Sequence, residues 1–486
     1  MNIQGHRALI LLLCGTSLCA PGLALAKAPA AATGADTAAL IARLERLEAE
    51  VTRLKADLDT ARGQQAEASR LAAASAAQTT AALEQARAKG EEAAAKVAAL
   101  ESRPRPEGFR DGNSTLRIGG FIKLVASNTR FGNGSVMTNT LGRDFYLPQQ
   151  IPVGGLATRD QDFSAKQTRL WVNLQTELAG HTLKGYLETD FQTTANAAPN
   201  IGGGGTQRTT NGYTLALRRA WLQLDRWTIG EDWSNFQNTA VLPESTDYVG
   251  GIEGTVFVRQ PLIRYSAPLG KAATLHLAIE NPESGTATLG TPTLVENGAD
   301  RLPDFTARFV WSSKRAELSL AGLVRQLRVE NAGVGSTRTG YGASASGKLF
   351  LNDDKTADLR FMATYGDGIS RYVGLNFAPD AVYVPAAGRL EDVKVFAALA
   401  ALRLPLAPRL RINLIGSYQS ADYADSLPLA GIAAFNQRAW SGAANVFYSP
   451  VNGVDVGVEY RHGERRLVSG VTGTTDRMEF AAKYTF

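Results

Sequence analysis

The segment TDRMEFAAKYTF, residues 475–486, puts Phe480, Ala482, Tyr484 and Phe486 on one side of an extended strand and Glu479, Ala481 and Lys483 on the other. Side chains of a strand alternate between its two faces, so one face here is aromatic and the other partly charged. A terminal aromatic on the apolar face fits the interfacial girdle of a membrane barrel and serves as an assembly signal. An ordinary edge strand ending in Phe would look the same in isolation, so the neighbouring segments decide.

In GVDVGVEYR, Val454, Val456, Val458 and Tyr460 alternate with Asp455, Gly457, Glu459 and Arg461. In TLRIGGFIKL, Leu116, Ile118, Ile122 and Leu124 share one face, and Arg117, Gly119, Phe121 and Lys123 the other. Sixteen candidate strands of this kind run from 115–128 to 475–486. Their connections alternate. AGH after Leu178, Asp225-Arg226, PLGK, SSK, LNDDK, PLAP and SPVNG are short, whereas 129–163, the Gly-rich 194–211, 234–254, 283–302 and 367–391 are long. A soluble antiparallel sheet also has one apolar face. The even strand number with short turns at one end and long loops at the other predicts a 16-stranded antiparallel transmembrane β-barrel over 115–486.

The N-terminal region obeys a different period. Residues 1–26 carry Arg7, an apolar run through Leu13 and small residues at Ala24-Leu25-Ala26, the layout of a cleaved signal peptide. Residues 27–36 read as a flexible N-terminus. Over 37–101, Leu40, Leu44, Leu47, Val51, Leu54, Leu58 and Ala61 recur at spacings of four and three. This is a coiled-coil seam, which predicts an α-helical, oligomerising periplasmic stalk. A surface helix folded back on a domain is the competing reading. Pro104, Pro106, Gly108 and Gly112 make 102–114 the linker.

Composition narrows the chemistry. Both cysteines, Cys14 and Cys19, lie in the signal, which leaves no thiol for a disulfide, nucleophile or metal site. Removing the signal takes one Arg from the 51 Lys+Arg and none from the 46 Asp+Glu, too slight a positive balance to argue for nucleic acid. His181, His276 and His462 are scattered and do not pair at metal-ligand spacing. The GGGG run at 202–205 lacks the Gly-Lys-Ser/Thr of a phosphate loop, and NDDK at 352–355 lacks the glycine and distal Glu of a calcium loop. The expectation is a non-enzyme without cofactors or metal.

The polar faces carry arginines. Alternation points Arg117, Arg169, Arg308, Arg325, Arg360, Arg411 and Arg461 into the lumen, where permanently charged guanidinium forks would concentrate small anions. The alternative is that they pair with lumen acids such as Glu188, Asp190, Asp358 and Glu459 and neutralise the wall. Arg218 and Arg219 are adjacent, so a regular strand cannot send both inward, and Arg259 and Arg264 sit on opposite parities that a bulge near Pro261 would reconcile. The loop segment EDWSNFQNTAVLPESTDYVGGIEG carries Glu231, Asp232, Glu244 and Asp247. Folded into the lumen, these constriction-loop acids would face the arginines across a narrow passage.

Several segments together resemble the DcaP-like trimeric outer-membrane porins: GYLETDF, LRRAWLQL, GEDWSNF followed by LPESTDY and GTVFVRQPLIRY, YGDGISRYVG, ANVFYSPVNGVDVGVEYRHGERR and DRMEFAAKYTF. The resemblance implies a homotrimer of sixteen-stranded barrels in the outer membrane, in contact with lipid and lipopolysaccharide, behind a periplasmic coiled coil. It also implies passive uptake of small anionic solutes such as dicarboxylates past an arginine-lined constriction, with Arg219, Arg259 and Arg264 in the matching segments. Ala216 stands where a further basic residue is expected. Two other functions compete: a phosphate- or pyrophosphate-selective porin, and an envelope tether whose stalk reaches peptidoglycan while the barrel serves as anchor.

Overall fold

The computed structural model describes residues 34–101, 108–137, 140–192, 213–331 and 333–486. The segment expected to be a signal peptide and the Gly-rich 194–211 lie outside the described residues.

Two units divide the chain, at the boundary between Leu100 and Glu101. The first holds one helix, α1, Gly34–Glu101. Its interior lacks Pro, and Ala, Leu, Glu, Arg and Gln dominate it, all strong helix formers. Leu44, Leu47, Val51, Leu54 and Leu58 are all about half exposed, so among the described residues nothing covers the apolar stripe. Among the described residues no helix is long and apolar enough to cross a membrane.

The second unit is a closed antiparallel sheet of sixteen strands. In chain order they are β1 Ser114–Phe131, β2 Arg169–Leu178, β3 His181–Asp190, β4 Ala216–Leu224, β5 Trp227–Trp233, β6 Arg259–Pro268, β7 Ala273–Glu280 and β8 Asp304–Ser312. They continue as β9 Ala316–Asn331, β10 Val334–Phe350, β11 Asp358–Asp367, β12 Arg389–Ala407, β13 Leu410–Tyr423, β14 Asn436–Tyr448, β15 Val454–Leu467 and β16 Thr472–Thr485. Each pairs with its sequence neighbours, and β1 pairs with β16 through Ile122↔Tyr484 and Leu124↔Ala482. Closure removes every free edge, as lipid requires, because hydrocarbon offers no partner to a bare N–H or C=O. Even the terminal residue takes part: Phe486 N–H donates to the Gly120 carbonyl at 3.1 Å, and Gly120 N–H to that of Phe486 at 3.3 Å. Outward, Phe480, Tyr484 and Phe486 are exposed, as are Ile118, Ile122, Val458 and Tyr460, whereas Glu459, Arg461 and Glu479 are buried inside.

Turn chemistry accounts for the short connections. Between β2 and β3 only Ala179 and Gly180 intervene, both at positive φ (52° and 85°), which matches the twist of a two-residue hairpin.

Several expected loops contain strand. Residues 158–164 pair with Val125–Phe131 of β1 and extend the line of β2 beyond a break at 165–168. The β9–β10 hairpin runs to Asn331 and Val334 instead of ending near 326 and 339. Its inner face explains the extension, since Leu327 and Val329 are buried against Ala381, Tyr383 and Leu390. Within 283–302, Gly285–Thr288 and Thr291–Glu296 form a hairpin, and Ala381–Val384 runs parallel to the first of these and antiparallel to β12. Residues Phe109–Asp111, in the stretch expected as linker, fold back onto the start of β1.

Candidate functional site

The lumen is built by inward side chains of the strands and by the loop 234–258, which enters it. On β9, β11, β12 and β13 the inward positions Leu323, Met362, Val395, Leu399 and Ile415 are apolar, and they bury loop residues Phe236, Val241 and Val256. Each fully buried side chain of this size contributes roughly 1.5–3 kcal/mol relative to exposure, so this patch seats the two ends of the loop. Close approach is required there: a Cβ on Gly254 would run into the Ala398 carbonyl oxygen.

The middle of the loop is held by polar bonds on the far side of the barrel from β5. Glu244 accepts from Arg411 Nη2 at 2.6 Å and Nε at 2.8 Å, with Arg403 at 3.7 Å. Ser245 Oγ donates to Glu459 at 2.6 Å, and Asn445 Nδ2 donates to the Glu244 carbonyl at 2.9 Å. Lys123 Nζ, buried on β1, donates to the Thr246 carbonyl and to Gln167, each at 2.6 Å. Burial opposes charge on Glu244, but the hydrogen bonds and charge of Arg411, with Arg403 nearby, hold its carboxyl below the usual range.

These contacts revise the expected placement of the loop acids. Glu244 is clasped by Arg411 on the wall opposite β5 and is not a free carboxylate. Asp247 instead accepts backbone N–H groups of Tyr146, Val249 and Gly250 at 2.9, 3.2 and 3.2 Å, and so fixes the loop's own turn. Glu231 and Asp232 belong to β5, not to the loop. Glu231 has the outward parity of Trp227 and Ile229, because β5 continues without interruption and pairs Glu231 with Pro261. Asp232 faces inward between Arg219 (2.6 Å) and Arg264 (2.8 Å).

A bulge in β4 resolves the adjacent arginines. The β3–β4 register passes from Glu188↔Arg219 to Thr189↔Leu217 and leaves Arg218 as the extra residue. Both guanidiniums therefore turn inward. Arg218 lies 2.7 Å from both Glu188 and Asp190 and also meets the Tyr248 hydroxyl of the loop. Arg169 is 3.3 Å from Asp190 and packs over Phe121. No bulge occurs at Pro261, where the β5–β6 register is continuous; the alternation instead gives way at the strand ends, where Trp233 packs into the loop cluster with Tyr248 and Phe257 and carries Arg259 with it. Arg259 opens β6 and stacks on Trp233, 5.2 Å from the ring centre, next to the inward-folded Tyr248–Phe257 pair.

Most of the remaining inward arginines are neutralised. Arg325 is enclosed between Asp304 and Asp380, both at 3.2 Å. Arg360 lies 2.6 Å from Asp358 and donates to the Leu242 carbonyl. Arg461 is 2.8 Å from Glu459. Arg117 is exposed at the short-turn mouth. Arg259 and Arg308 differ: among the described residues neither has a hydrogen bond or ion pair, and Arg259 Nη1 and Arg308 Nε are buried without a partner. The wall of β4, β6 and β8 thus presents Arg219, Arg259, Arg264 and Arg308 around Asp232, with Glu188 3.7 Å from Arg219.

Sequence reasoning missed the bulged Arg218 as a site residue, the loop's Tyr248, and Glu253. The last is fully buried, accepts from the Tyr146 hydroxyl at 3.2 Å, and has its carboxyl raised by burial. Also missed was the inward aromatic pair Tyr186–Trp221, stacked at 5.3 Å, with Arg219 4.7 Å over Tyr186.

A family model of the DcaP outer membrane protein matches residues 151–486. The chain belongs to that family. Membership places this DcaP-family barrel in the outer membrane as a porin, which agrees with its closed sheet and inward-folded loop. The crystal structure of the outer-membrane channel DcaP of Acinetobacter baumannii is similar with a TM-score of 0.61 and 23% identity, over 78% of this chain and 100% of that one. OmpT of Vibrio cholerae (TM-score 0.48, 10% identity, 78% and 100% covered) and the anion-selective porin from Comamonas acidovorans (0.48, 10%, 77% and 100%) are more distant. No curated relative matches the chain.

Proposed function

We propose that this porin is a homotrimeric diffusion channel that favours small anionic solutes, dicarboxylates among them. The observation that carries the reading is the pair Arg259 and Arg308, inward cations without an ion pair among the described residues, beside Arg264 and Arg219, which share Asp232, Arg219 also lying 3.7 Å from Glu188. A guanidinium with a buried, unbonded nitrogen is costly unless a passing solute or water satisfies it, and a carboxylate supplies the matching acceptor. Sites of this kind conduct when they attract a solute without holding it. The uncovered seam of α1 supports assembly, since Leu44 to Leu58 would be buried by partner helices in a coiled coil ahead of the barrel.

Proteoliposome swelling tests the reading. A four-carbon dicarboxylate is expected to enter faster than an uncharged or cationic solute of similar size, and conductance in planar bilayers to close in three steps. Equal or faster entry of the cation would overturn the preference. Single-step closure would overturn the trimer.

A further inference from the structure

On the outer face of the barrel, the register aligns Trp227, Tyr265, Leu277, Ala307 and Gly322 in one row across β5 to β9. Bulky side chains flank its later part on both sides, Phe305 and Val324 along one edge and Phe309 and Leu320 along the other. The small residues Ala307 and Gly322 therefore floor a trench, and a Cβ added at Gly322 would meet nothing within 4 Å. The resulting groove measures about 830 Å³ and is almost wholly apolar. That falls within the roughly 300–1,000 Å³ typical of small-molecule sites.

The two ends of the row differ. Barrel strands tilt by about 35–45°, so a row along the hydrogen-bonding direction climbs through the membrane. It starts at Trp227, the first residue of β5, and reaches Gly322 well inside β9. At the start, the Trp227 and Tyr265 rings lie 4.8 Å apart, and Arg226 Nη1 in the short β4–β5 turn stands 3.5 Å from the Tyr265 hydroxyl. Paired aromatic rings with polar edges mark headgroup depth. An exposed guanidinium beside a hydroxyl is an acceptable partner for a phosphodiester. Short turns of outer-membrane barrels face the periplasm, so this end lies in the periplasmic leaflet.

We propose that the groove is a binding site for a diacyl phospholipid of the periplasmic leaflet, with its phosphate at Arg226 and Tyr265 and one acyl chain along Leu277, Ala307 and Gly322. Charge complementarity at one end and an open apolar trench rising from it fit this occupant. A second copy of the barrel would have no use for a cation at one end. Lipopolysaccharide would bring its headgroup to the opposite surface.

The test is native mass spectrometry of the full chain in detergent, titrated with palmitoyl-oleoyl phosphatidylethanolamine. One tightly retained lipid per chain is expected. Gly322→Phe should fill the trench and Arg226→Ala should remove the phosphate partner, each weakening retention by about tenfold, as expected for loss of one charged hydrogen bond or of the chain contact. Heat-modifiable mobility on gels verifies folding, and Ala307→Leu serves if Gly322→Phe does not assemble. Unchanged retention in the filled variants would overturn the proposal, as would loss of subunit association in them or preferential retention of lipopolysaccharide.

Discussion

Arg325→Met is expected to lower the stability of the barrel by about 3–5 kcal/mol, the usual cost of breaking a buried ion pair by removing one partner. Arg325, Asp304 and Asp380 are all fully buried, and the guanidinium lies 3.2 Å from each carboxylate. Methionine fills the space but leaves two enclosed acids. Tyr372 still donates to Asp304 at 2.6 Å, and the backbone N–H groups of Gly285 and Arg371 still donate to Asp380, each at 2.9 Å. Neutral donors do not replace a cation in this setting. The loss should appear as a lower temperature at which the folded form on an unheated gel converts to the unfolded one. Adding Asp304→Asn and Asp380→Asn to the variant should recover most of it. An unchanged conversion temperature would show that the pair is not buried in the native protein.

The next largest effect belongs to the loop clasp. Arg411→Ala removes the two-pronged hold on Glu244 and leaves Arg403 at 3.7 Å and Asn413 at 3.3 Å. A hydrogen bond to a charged group contributes about 1.5–3 kcal/mol, less than the apolar seat at Phe236, Val241 and Val256. The loop ends should therefore stay in place while its middle loosens, with a larger and noisier single-channel current as the outcome. Acid should have the same effect on the unmodified protein. Because the folded Glu244 carboxyl lies below its free value, its contribution is complete above that value and is lost as pH falls through the lowered one. Current should rise once the pH falls below the ordinary glutamate range, and Arg411→Ala should show no such step. A pH-independent current in the unmodified protein would contradict the clasp.

How far the sequence revealed these features depends on the range over which each is determined. The barrel follows from period-two alternation and turn chemistry, both local: Val454 to Arg461 and Phe480 to Phe486 face as their parity dictates. Longer range defeats such reasoning. The β9–β10 hairpin extends beyond its expected ends because Leu327 and Val329 find cover from Tyr383 and Leu390, residues more than 50 positions away. Arg218 and Arg219 both turn inward through a bulge that no turn residue announces. The partners that hold the loop acids, Arg411 for Glu244 and the Tyr146 N–H for Asp247, lie on another strand and another loop, beyond the reach of local reasoning. One available signal went unread. The run VFAALAALRL at 395–404 is apolar on both faces, which in a barrel implies that its inner side is covered, and loop 234–258 is the cover. Alternation also cannot tell a paired arginine from an unpaired one. Among the predicted pore arginines that distinction separates Arg259 and Arg308 from the rest.

The most direct test of the central claim is the reversal potential in a potassium chloride gradient, measured on the unmodified protein and on Arg259→Gln, Arg308→Gln side by side. An anion-preferring potential that shifts toward zero in the double variant is expected. A cation-preferring potential in the unmodified protein, or an anion preference left unchanged by the double substitution, would contradict the assignment of these two arginines to the selective wall.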